Sequence, residues 1–184
     1  MVETLEKTGV AETVRQKTGL PLSPYFSAAK FLWAVQNVPE AKEAFETGRL
    51  RVGTMDAWLC YKLTGRHSTD YSNASRTQLL NLDTLRWDAE LLEVFGLTPA
   101  CMPEIRMSDS CFGHTDMEGL LPGKIPVHCL LGDSHAALLA HRCTQAGMTK
   151  VTYGTGSSIM VNAGGTRPAQ AKDLSVSLAW GLKE

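Results

Sequence analysis

At Asp133 the chain changes character. The apolar run Ile125-Pro126-Val127-His128-Cys129-Leu130-Leu131-Gly132 ends there, and the Ala/Leu-rich run Ala136-Ala137-Leu138-Leu139-Ala140 follows. The first has the length and content of a buried strand and the second those of a helix. The spacing therefore predicts a strand over residues 127–131 leading into a helix over 134–143. Gln145-Ala146-Gly147 breaks that helix. Beyond it, residues 150–153 and 159–162 predict two strands of a hairpin, and 174–179 a further strand. Strand, helix and hairpin in succession predict an α/β chain with a carboxylate at a strand's C-terminal end. About twenty residues later comes the turn Gly154-Thr155-Gly156, whose glycines let a backbone approach a phosphate. A carboxylate beside a phosphate cradle is the minimum apparatus for moving phosphoryl groups onto hydroxyls.

Upstream, helical spacing dominates. Residues 3–17 predict a polar helix ended by the turn cluster Gly19-Leu20-Pro21-Leu22-Ser23-Pro24. Ser27 then caps a helix through Ala28, Phe31, Leu32 and Val35 that stops near Asn37 and Pro39. A further helix covers 40–47. Another runs over 54–63, with Met55, Leu59 and Leu63 as its apolar face and Gly65 as its stop. Residues 67–78 are polar and turn-rich, 79–82 form a short apolar segment, and 88–95 predict a helix capped by Gly96. Turn signals run through 99–123. The change in pattern near residue 145 predicts a boundary between a unit at 1–144 and another at 145–184.

Composition narrows the partners. The 184 residues are 43% hydrophobic and 20% charged with a net charge of −1, as in an ordinary globular protein. Such a balance predicts neither nucleic acid nor a membrane as partner. No apolar run nears the roughly 20 residues of a membrane span. Cys60, Cys101, Cys111, Cys129 and Cys143 are odd in number and scattered, the pattern of reduced, mostly buried thiols in a cytoplasmic protein. The histidines make no metal signature, so no metal held by protein ligands alone is expected.

Five blocks of the chain resemble the FGGY carbohydrate kinases, in that family's order. They are Tyr25-Phe26-Ser27-Ala28-Ala29-Lys30-Phe31-Leu32-Trp33, Gly53-Thr54-Met55-Asp56-Ala57-Trp58, Thr69-Asp70-Tyr71-Ser72-Asn73-Ala74-Ser75-Arg76-Thr77, Gly132-Asp133, and Tyr153-Gly154-Thr155-Gly156. The resemblance implies an actin/hexokinase-like fold of ribonuclease-H-like α/β domains, with sugar and ATP–Mg in the cleft between them. It implies that 1–144 is the latter part of the sugar-binding domain and 145–184 the beginning of the ATP-binding domain. On that template the chain is a middle segment, without the first phosphate hairpin or the adenosine site. Alone it would then bind ATP negligibly, and would self-associate or need a partner segment.

The resemblance also assigns roles. Asp133 would take the proton from the attacking hydroxyl and help organise magnesium; its structural alternative is a helix N-cap. Gly154, Thr155 and Gly156 would hold phosphate, against the alternative of a plain hairpin turn. Tyr25 would pack near the polyol, although a Tyr beside Phe26 also suits a helix start. Trp33, Trp58 and Arg76 read as scaffold, the arginine in a buried pair. The glycerol-phosphorylating branch of the family has glutamine at Ser134 and phenylalanine at Ser158. Both serines shorten the side chain, which predicts a wider, more polar pocket suited to a longer sugar or polyol. Two other readings remain open at this point. Gly132-Asp133-Ser134 resembles the nucleophile block of GDS-type esterases, yet no histidine follows residue 141. A non-catalytic binding or assembly module of kinase fold is the other.

Overall fold

The structure, a computed structural model, describes residues 2–154, 156–169 and 173–183. The polar lead is two helices, α1 (Val2–Glu6) and α2 (Val10–Thr18), separated by left-handed Gly9. Gly19 ends α2 in the left-handed conformation, and a Cβ there would also sit 2.8 Å from the side chain of Val176. Only glycine meets both demands. Helix α3 (Ser27–Asn37) starts one position earlier than the sequence suggests: Phe26, not Ser27, is its N-cap, with no side-chain cap bond. Pro39 opens α4 (Pro39–Glu46), where its missing N–H costs nothing.

One apolar core unites the first hundred residues. Val14 of α2, Ala28, Ala29 and Leu32 of α3, Leu79, and Leu91, Leu92 and Phe95 pack together. The last group lies on or just beyond α7 (Ala89–Val94), whose N-cap Asp88 accepts from the Leu91 N–H. Strands β2 (Leu80–Asn81) and β3 (Arg86–Trp87) form the hairpin leading into it. Lys17 reaches from α2 to Asp88 at 2.8 Å, closing the base of this core.

Helix α5 (Met55–Thr64) departs from its predicted orientation. Met55 is 71% exposed and Leu59 47%, while the buried face is Ala57 and Cys60. The reason is close approach. A Cβ on Gly113 would fall 2.6 Å from that of Thr64, and one on Gly53 would fall 2.7 Å from that of Ala57. Small side chains alone fit between α5 and the strands below, so the large ones point outward. Trp33 and Trp58 are likewise exposed rather than part of the scaffold.

The polar run at 67–78 is the largest departure. It is interior: β1 (Ser68–Asp70) is wholly buried and pairs in parallel with β4 (Glu104–Arg106), and α6 (Tyr71–Ala74) follows at once. Burial is tolerated because its polar groups are paired. Thr69 Oγ1 donates to Asp56 Oδ2 at 2.6 Å, joining α5 to β1.

Strand β5 (Gly113–Thr115) pairs antiparallel with β6 (Ile125–Val127). The predicted strand at 127–131 therefore lies earlier and is shorter. Beyond Val127 only single bonds fasten the chain, such as Leu130 N–H to the Ser108 carbonyl at 3.1 Å. Asp133 consequently begins α8 (Asp133–Ala140) with five residues between it and the strand, not directly at its end. The hairpin is as predicted, with β7 (Thr149–Thr152) antiparallel to β8 (Ser158–Val161). Residues 174–183 form no strand. They return to the first unit through Val176 N–H to Gly19 O (2.9 Å), Leu178 N–H to Ser75 Oγ (3.1 Å) and Ser108 N–H to Gly181 O (2.6 Å). The partners Gly19, Ser75 and Ser108 lie at three separate places along the first unit, and one of them bonds through its side chain, so no ladder forms. Among the described residues no helix is long and apolar enough to cross a membrane, and Cys60, Cys101 and Cys143 are buried free thiols.

Candidate active site

A cleft of about 1570 Å³ opens beside the start of α8 and is lined by Tyr25, Phe26, Arg76, Asp133, Ser134 and Ser158, with the 174–180 segment along one wall. Four of the residues singled out in the sequence (Tyr25, Asp133, Ser134, Ser158) thus share one cavity, although they come from positions as far apart as 25 and 158. Gly154 and Gly156 do not line it; they lie on the turn between β7 and β8, where a Cβ on Gly156 would meet open space. Thr155 lies outside the described residues.

Asp133 is the first residue of α8, and the N-cap position belongs to Gly132. The capping alternative is therefore not its role. The carboxylate is exposed, and Oδ1 accepts the Ser134 N–H at 2.6 Å. Oδ2 has no hydrogen-bond partner among the described residues, so this exposed, cleft-lining carboxylate keeps an oxygen able to accept a proton or join a cation's oxygen shell. No group of three or more His, Cys, Asp or Glu that could hold a metal occurs among the described residues.

Tyr25 is 74% exposed at the mouth of the cleft, with its ring edge-on to Phe26 at 5.2 Å. Arg76 has no carboxylate partner among the described residues; instead its guanidinium lies 5.0 Å over the Phe26 ring, and burial pushes its pKa down. The buried pair expected of Arg76 is thus a cation–π contact, and the residue lines the cleft. Beneath the carboxylate, His135 is 5% exposed and its Nε2 lies 3.2 Å from Ser177 Oγ. Burial first, then the Arg76 charge, lowers its pKa to about 4. His135 is engaged with Ser177 and gives Ser134 no general base, which removes the esterase reading.

The residue that sequence reasoning missed is Asp70. Its side chain accepts five hydrogen bonds, from Ser72 N, Ser72 Oγ, Asn73 N, Asn73 Nδ2 and Ser108 Oγ. Asp followed two and three residues later by Ser and Asn is the signal that was available, since Asp caps such a turn. Nothing in the spacing showed that Ser108 would join it.

Residues 1–140 match the profile of the FGGY family of carbohydrate kinases, N-terminal domain. Glycerol kinase 1 of Thermotoga maritima is 46% identical over 186 residues, covering 100% of this chain and 38% of that protein. A probable glycerol kinase of Caenorhabditis elegans is 51% identical over 159 residues, 86% of this chain and 31% of the relative. Among solved structures, Plasmodium falciparum glycerol kinase with ADP superposes with a TM-score of 0.79 at 33% identity, covering 87% of this chain and 33% of that one. The chain thus spans about a third of the length of the relatives it matches.

Proposed function

The chain belongs to the FGGY family of carbohydrate kinases and carries part of its actin/hexokinase-like fold, and on that premise we propose that it contributes the sugar side of an ATP-dependent kinase site. The reaction is transfer of the γ-phosphate of ATP to a hydroxyl of a sugar or polyol. The observation that carries this reading is the cleft that gathers Tyr25, Asp133, Ser134 and Ser158.

Asp133 acts as general base. Its unpartnered oxygen accepts the proton of the substrate hydroxyl, and helix α8 keeps that oxygen aligned. Tyr25, Ser134 and Ser158 line the space for the carbon chain. Gly154, Thr155 and Gly156 hold phosphate oxygens through backbone N–H groups and a hydroxyl. Magnesium would be held chiefly by phosphate oxygens, with the Asp133 carboxylate helping to organise it, and would supply neutralisation of charge on the transferred group. Residues 1–144 are then the latter part of the sugar-binding domain and 145–184 the start of the ATP-binding domain. Buried free thiols agree with a cytoplasmic setting.

Ser134 and Ser158 deepen the proposal into a preference. Two short hydroxyl side chains leave room that a three-carbon substrate does not fill, so glycerol ranks below four- to six-carbon sugars and polyols. The test uses an exchange enzyme in which this chain replaces its aligned segment of the Thermotoga maritima relative. Ser134→Gln with Ser158→Phe should raise the kcat/KM ratio of glycerol over longer polyols about 10- to 100-fold, the effect of filling a pocket by a few methylenes. A panel in which the unaltered exchange enzyme already prefers glycerol contradicts the assignment.

A further inference from the structure

We propose that Ser72, oriented by the buried Asp70 carboxylate, is a positioning residue that sets the backbone from which Asp133 projects; the proposal rests on Asp133 being the base. Asp70 is fully buried and, as a carboxylate, can only accept. The Ser72 hydroxyl donates its one proton to Asp70 Oδ1 at 2.9 Å. Its lone pairs are thereby left for the opposite side, where the Gly132 N–H donates to Ser72 Oγ at 2.8 Å.

Gly132 immediately precedes Asp133 and is fixed at both ends of its polar inventory. Its N–H is held by Ser72, and its carbonyl accepts the Ala136 N–H at 2.7 Å as the first bond of α8. The backbone passes so close that a Cβ on Gly132 would lie 2.9 Å from His135 Nδ1 and 3.5 Å from Ser72 Oγ. Such a contact transmits small displacements of Ser72 directly to the residue beside the carboxylate.

Capping of α6 accounts for the bonds from the Ser72 and Asn73 N–H groups to Asp70. It does not account for the outward-facing serine bonds. Ser108 repeats the arrangement: its hydroxyl donates to Asp70 Oδ2 at 2.6 Å and accepts the Gly181 N–H at 3.1 Å. One buried carboxylate therefore polarises two hydroxyls. One grips the residue before Asp133 and the other grips the return segment, part of which walls the cleft. Low local dielectric strengthens such a chain of bonds.

The test is Ser72→Ala, read in two ways. In this 184-residue chain, amide exchange at Gly132 should accelerate about tenfold or more, with the interior amides of α2 and α7 unchanged. In the exchange enzyme, kcat should fall about tenfold with KM for polyol and ATP unchanged, since alignment rather than binding is lost. Should the alanine variant not fold, Ser72→Cys keeps the side-chain volume with a poorer hydrogen-bond acceptor and is read the same way. Unchanged Gly132 exchange overturns the proposal, and so does an unchanged kcat despite a loosened Gly132. A fully active Asp133→Asn enzyme is a different failure: it removes the base itself, whatever Gly132 does.

Discussion

Asp133→Asn in the exchange enzyme lowers kcat by ~10²–10⁴-fold while leaving ATP affinity nearly unchanged. The amide keeps the size of the side chain and its carbonyl still accepts the Ser134 N–H, so α8 starts as before. What is lost is an oxygen able to take a proton from the attacking hydroxyl. Initial rates and calorimetric ATP titration measured on the same preparation separate these two effects. A variant with full turnover would take Asp133 out of the chemistry.

The second large effect is a loss of stability in mild acid through His135. In the folded chain its pKa is lowered from 6.5 to about 4, chiefly by burial and then by the Arg76 charge. Between those values the unfolded chain binds a proton that the folded chain refuses. Stability contributed by the neutral ring is thus complete above pH 6.5, falls as pH drops toward 4, and levels off below it. The whole window is worth about 3 kcal/mol, and about 2 kcal/mol of it is gone by about pH 5. Asp70 and Asp133 favour protonation, while Lys150 opposes it, so the net shift already contains these neighbours. His67, which burial also lowers, and Asp56, which burial raises, act on the wild-type chain and a variant alike. Urea unfolding of the chain and of His135→Gln at pH 7 and pH 5 isolates the contribution. The wild type should lose about 2 kcal/mol more than the variant on acidification; equal losses would mean that His135 is not buried neutral.

Local chemistry made much of this fold legible. Left-handed glycines end α2 and α5 at positions visible in the sequence, Asp88 caps α7, and alternating residues on either side of Gly154 and Gly156 mark the last hairpin. What stayed hidden depends on contacts between distant segments. Strands of three residues, such as β1, β4, β5 and β6, are too short to show a period. Helix α5 presents its larger apolar residues outward and Ala57 and Cys60 inward, and β5 passes so close at Gly113 that a Cβ there would meet Thr64. Residues 174–179 look like a strand by composition, but their partners are scattered over Gly19 and Ser75.

The site divides in the same way. Asp133 stands out where an apolar run meets a helical one, and Tyr25, Ser134 and Ser158 emerge from resemblance to a family pattern. The burial of Asp70 was not legible because a run of Ser, Thr, Asn and Asp normally marks solvent. Here its polar groups satisfy one another inside the protein, and that interior network reaches the residue before Asp133. Arg76 was expected in a buried pair, yet its partner is an aromatic ring that no charge pattern announces.

The central claim is that this chain supplies the proton-accepting, sugar-binding half of a phosphoryl-transfer site. The direct measurement follows label from γ-labelled ATP after mixing with the exchange enzyme and a polyol. Label should appear in a phosphate ester of the polyol, only when polyol is present, and Asp133→Asn should slow its appearance by ~10²–10⁴-fold. Label remaining in ATP, or passing only to inorganic phosphate, in a folded exchange enzyme would contradict the claim.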